Sequence, residues 1–200
     1  MIRHRRTAAV VIVAASLIAS QANALSPSYA SPPVQRPTFA ASVVGLAVPQ
    51  TGVMDAVCIS GSATRIVRIK RITVSGIDAT AQAVGVSLVK RTTANTGGTS
   101  TSPTPGALDS TSAAPTASLK AYTVAPTPGT LAATLRSQVI ALNTANVAAV
   151  SPVSWDYSMS PESLSQEIVL RSASESACIN FPAAFTTAGP TLNVDVTWTE

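Results

Sequence analysis

The chain has 200 residues with 11% charged and 4% aromatic side chains, enough length for one domain with its own core and tails. So little charge argues against a solvated, disordered chain, and the abundance of Val and Thr favours strands over helices. The formal net charge is +4, but Arg3, Arg5 and Arg6 supply most of it; beyond residue 24 ten cations face nine anions, about +1, which is weak support for a nucleic-acid partner.

The first segment, MIRHRRTAAVVIVAASLIASQANA, has a basic start, an apolar run from Ala8 to Ala19 and the small-residue ending Ala22-Asn23-Ala24. This is the three-part pattern of a secretory signal peptide over residues 1–24, with cleavage before Leu25, and the run is short for a membrane span of roughly 20 residues. No stable membrane anchor is expected after processing. Residues 25–52 hold Pro27, Pro32, Pro33, Pro37 and Pro49 among Ser and Ala, and are expected to form an extended arm. A β domain is expected over 53–200.

The stretch TRIVRIKRITVSG, Thr64 to Gly76, carries Arg65, Arg68, Lys70 and Arg71. Val67 and Ile69 are in phase, as are Ile72 and Val74, but the two pairs are offset by one residue. A β-bulge near Lys70-Arg71 restores one buried face, with Arg65 on that side at the strand's start and Arg68 pointing out. Single-stranded nucleic-acid binding would call for interleaved aromatics, and there are none. The four cations are therefore expected to be solvated or to face another subunit. Val84, Val86 and Leu88 predict a further strand.

Residues 92–118 are rich in Ser, Thr, Pro and Gly and predict one long loop. Within it, TANTGG lacks the spacing and Lys of a phosphate-binding loop and predicts a turn. In 131–142, Leu131, Leu135, Val139 and Leu142 also fit a helical face; the β surroundings favour two strands with a break near Ser137. Trp155 lies in phase with Val153, Tyr157 and Met159. Leu192, Val194, Val196 and Trp198 share one face of the last strand, opposite Asn193, Asp195, Thr197 and Thr199, so both tryptophans are expected in the core.

The chemistry on offer is sparse. The one histidine, His4, lies in the signal-like segment, which removes Ser-His-Asp and Cys-His catalysis and histidine metal sites from the processed chain. The nine acids are scattered, mostly in turns or on polar strand phases, and are expected to be solvated; a paired-carboxylate hydrolase has no positive support. No catalytic residue, metal or cofactor is assigned. Cys58 and Cys178 are far apart in sequence, and a disulfide and two buried free thiols stand as equal alternatives.

Several pieces together carry a resemblance: ISGSATRIVRIKRITVSG (59–76), VSLVKRTTANTGGTSTSPT (86–104), LKAYTVAPTPGTL (119–131), Trp155-Asp156, QEIVLRS (166–172) and LNVDVTWTE (192–200). The most specific are KR-x-x-A-N-x-GG-T-S-T and the terminal W-T-E. In order and spacing these resemble a family of small tailed-bacteriophage virion-associated or hypothetical structural proteins. The resemblance implies an all-β, antiparallel β-sandwich of jelly-roll type, strand rather than helix over 131–142, and repeated copies on a particle as trimers. Other virion proteins and the chain itself would be its partners. The sequence departs from the family in its signal-like front, its long arm and its two cysteines. An exported bacterial β-sandwich, periplasmic or on the cell surface, that binds glycan or protein is the alternative.

Overall fold

The structure, a computed structural model, describes residues 36–50, 54–144, 152–158, 167–185 and 189–200. The signal-like segment 1–24 and the first part of the arm lie outside the described residues. Twelve strands follow in order: β1 (Thr38–Ala47), β2 (Met54–Ser60), β3 (Val67–Ile77), β4 (Gln82–Arg91), β5 (Thr99–Thr101), β6 (Gly106–Ala107), β7 (Ser118–Val124), β8 (Leu131–Leu142), β9 (Val153–Asp156), β10 (Ile168–Leu170), β11 (Ser176–Phe181) and β12 (Thr191–Thr199). They form two six-stranded sheets, and no helix occurs among the described residues. One sheet runs β10-β3-β12-β1-β6, with β9 also on β3; the other runs β5-β7-β2-β11-β4-β8. Every ladder is antiparallel.

Alternation explains the first sheet. In β12, Leu192, Val194, Val196 and Trp198 are buried, while Asn193 and Asp195 are exposed; Thr199, expected on the wet face, is buried instead. In β3, Val67, Ile69, Ile72 and Val74 are all buried despite their phase slip. The ladder to β12 pairs Thr197 with Arg71 and Trp198 with Ile69, so Lys70 is the extra residue of the predicted bulge. Arg65 precedes the strand and is exposed, so it does not share the apolar face expected for it.

The expected arm ends earlier than its prolines suggested. Residues 38–47 form β1, hydrogen-bonded to β12 on one side and β6 on the other. Phe39, Ala41, Val43 and Leu46 are buried, and the Phe39 ring lies 6.0 Å from Trp198. Burial of Phe39, Val43 and Leu46 contributes about 1.5–3 kcal/mol each. The alternation changes phase at Val44-Gly45, where Gly45 takes a left-handed φ of 67° and the register to β12 shifts.

Two more expectations are corrected. The loop at about 92–118 is interrupted by β5, paired with β7, and β6, paired with β1. Residues 131–142 are one continuous strand with no break at Ser137; its register to β4 shifts instead at Leu88/Val89 and Lys90/Arg91. The outer flank of β8 is the end of its sheet, and both of its faces are exposed over most of its length, with Leu131 and Val139 prominent.

The second sheet's centre does not alternate. All of β11 and nearly all of β2 are buried, so both faces of these strands are covered. Met54, Ile59, Leu88, Leu119, Ile179 and Phe181 join Phe39, Ile69, Ile72 and Trp198 in one core cluster. The other face of β2 and β11 lies under the segments around Asn95 and Gly129.

Candidate functional site

The polar centre of the molecule is Asp55, which is fully buried on β2 and contradicts the expectation of solvated acids. Asp78 is buried as well. A buried carboxylate persists only with a counter-charge and full hydrogen bonding. Arg91, at the end of β4, supplies both: its Nε and Nη2 donate to the two Asp55 oxygens, each at 2.8 Å. Asn180 of β11 donates to Oδ1 at 2.8 Å and Asn95 to Oδ2 at 2.8 Å. The carboxylate thus accepts four N–H bonds.

The same two residues also hold the adjoining loop. Arg91 Nη1 donates to the Gly129 carbonyl at 3.1 Å, and the Gly129 amide donates to Asn95 Oδ1 at 2.8 Å. A Cβ on Gly129 would stand 1.9 Å from the Thr93 carbonyl oxygen, which is why this turn needs glycine. Gly97 and Gly98 have φ of 64° and 70°, left-handed conformations that confirm the predicted turn in TANTGG. The KR-x-x-A-N-x-GG sequence is therefore a clasp that folds residues 92–98 onto the outer face of β2 and β11. Sequence reasoning found Arg91 and Asn95 only as signature letters and missed Asp55 and Asn180.

Cys58 and Cys178 face each other directly across β2 and β11 and are disulfide-bonded beneath this clasp. Asn95 also approaches Cys58 Sγ at 3.4 Å. The Asp55 carboxylate and the two sulfurs lie close enough to suggest a metal site. They do not fit one: the sulfurs are bonded to each other, and the Asp55 oxygens are taken by four donors, including a guanidinium that already balances the charge.

The terminal W-T-E has a similar explanation. The Glu200 carboxylate accepts from the Thr116 amide at 2.9 Å, the Thr116 hydroxyl at 2.7 Å, the Ala117 amide at 2.8 Å and the Trp198 indole at 3.1 Å. Burial raises its pKa, but the Thr116 hydroxyl, the two amides and the indole outweigh that and hold it below the usual glutamate range. Glu200 thus fastens the segment before β7 to the end of β12.

The basic stretch is largely answered from within. Arg68, at 3.4 Å, and Lys70 converge on Glu167 just before β10. Arg71 sits opposite Asp156 of β9. Asp156 is held below its usual range first by the Ser158 hydroxyl and amide, with Arg71 and Lys70 adding to the effect. These partly exposed pairs contribute at most about 1 kcal/mol each. Arg65 makes no ion pair among the described residues. Trp155 and Trp198 are buried and form no exposed aromatic platform.

No protein-family model matches the chain, and no curated protein or solved structure matches it.

Proposed function

We propose that the chain is a non-enzymatic structural subunit of a phage or prophage particle, a decoration, collar or tail-associated protein. It would be built as a jelly-roll-like β-sandwich and used in repeated copies, as trimers. The observation that carries this proposal is where the signature residues spend their bonds. Arg91 and Asn95 are consumed by Asp55 and the Gly129 turn, and Trp198 and Glu200 by the segment before β7. The residues behind the resemblance thus maintain a scaffold, which suits a protein whose work is packing against neighbours. The surface available for this includes the long edge strand β8 and the exposed Arg65, which makes no ion pair among the described residues. Closed symmetric rings are the usual outcome for such repeated units.

The disulfide favours a second reading, an exported β-sandwich in the periplasm or on the cell surface that binds glycan or protein. Disulfides persist in oxidising compartments, and the signal-like residues 1–24 point the same way. Mass spectrometry of purified particles beside a periplasmic extract decides between the two. Stoichiometric presence in particles supports the particle subunit; absence there, with protein processed to Leu25 in the extract, overturns it.

A further inference from the structure

At the open side of the two sheets, between β8 and β10, lies a groove of about 400 Å3. Its walls are Lys90, Leu135, Arg136, Tyr157, the Glu167–Val169 segment and Arg171. The volume is at the small end of the range for ligand pockets, about the size of one or two sugar rings. Its charges are unevenly matched. Glu167, the single acid in the lining, is already engaged by Arg68 and Lys70. Lys90 is held by the Val169 carbonyl at 2.9 Å and by Glu175 at 3.4 Å. Arg136 and Arg171 have no carboxylate partner among the described residues. The Arg136 guanidinium stands 5.8 Å from the centre of the Tyr157 ring, a stacked position that fixes the fork in advance. Tyr157 is itself more than nine-tenths buried, and its hydroxyl lacks a properly formed hydrogen bond although Arg136 is close by.

Two guanidinium groups with no carboxylate partner among the described residues, beside an apolar lining, suit an oxyanion carried on a compact ring. A guanidinium binds carboxylate or phosphate through paired N–H bonds, and Leu135 and Ile168 offer contact to the ring. We propose that this groove binds an acidic sugar, with Arg136 and Arg171 holding its carboxylate or phosphate. The proposal needs only the groove, but Leu135 and Arg136 belong to β8, the edge strand offered above for packing, so a bound sugar and a neighbouring copy would compete for that wall.

The test is NMR titration of the full chain with glucuronate, glucose 6-phosphate and glucose. Both acidic sugars are expected to shift resonances of residues 135–136 and 167–171 at millimolar concentration, with glucose about tenfold weaker or inactive. The tighter of the two acidic sugars identifies carboxylate or phosphate as the preferred anion. Arg136→Gln and Arg171→Gln should each weaken binding about tenfold, while Arg65→Gln, outside the groove, leaves it unchanged. Arg136→Lys keeps the charge and loses the fork, and should fall between wild type and Arg136→Gln. Binding of glucose as tight as of glucuronate, no shift with either acidic sugar, or binding indifferent to Arg136 and Arg171 would overturn the proposal.

Discussion

Replacing Asp55 by Asn keeps the side chain's shape and removes its charge. The new amide presents one oxygen and one NH2 group to four N–H donors, so two of the bonds at 2.8 Å become donor against donor. The Arg91 side chain, only 8% exposed, is left without its counter-charge. Breaking one partner of a buried ion pair costs about 3–5 kcal/mol, and the stranded amides do not relieve it. For a protein of this size each kcal/mol is worth about 2–4 °C, so the melting temperature should fall by roughly 6–20 °C. Guanidinium unfolding followed by tryptophan fluorescence reads this directly, since Trp155 and Trp198 are both buried. The double variant Asp55→Asn, Arg91→Met removes the orphaned cation and should recover part of the loss. A single Asp55→Asn variant within about 1 kcal/mol of wild type would refute the claim that the clasp is a central support of the fold.

Other expectations follow from neighbouring contacts. Gly129→Ala places a methyl against the Thr93 carbonyl and should cost about 1–3 kcal/mol, with faster amide exchange across residues 92–98. The disulfide bridges a sequence separation of 120, so Cys58→Ser with Cys178→Ser should lower stability by up to about 4–5 kcal/mol in the chain-entropy model. Comparing unfolding of wild type with and without reductant checks the same quantity. Glu200 has a folded pKa below its unfolded one, so its contribution is present above the unfolded value and is lost as pH falls through the folded one. Wild type should therefore exceed Glu200→Gln in stability at neutral pH, and thermal melts should show the gap closing below the ordinary glutamate range.

The strands most plainly legible in the sequence were those with one wet face; SACINF, buried on both faces as β11, reads only as a weaker strand. The alternation in Leu192–Trp198 and the phase slip at Lys70-Arg71 both correspond to observed features because each rests on a single buried face. Strand β1 was hidden by the surrounding prolines and by Ala41 standing at a core position, where a larger residue would have marked the face. Strands β5 and β6 have three and two residues, too few for any period to show. The run Met54–Ser60 held a signal that went unused. An acid inside a strand with no polar alternation implies that both faces are covered, and hence that the acid has a buried partner. Which partner could not be read, because Arg91, Asn95 and Asn180 come together only through the pairing of β4, β11 and β2. The cysteines were likewise open in sequence and are resolved by the direct opposition of Cys58 and Cys178 across the ladder.

Whether this chain packs against copies of itself, as proposed, is read by native mass spectrometry of the purified chain beside Val139→Glu. Val139 is 66% exposed on the edge strand β8, so the substitution should leave the fold's stability within about 0.5 kcal/mol. Wild type should form a closed homo-oligomer, a trimer, and the variant a folded monomer. A wild-type chain that stays monomeric, or a Val139→Glu chain that assembles equally well, would contradict the proposal.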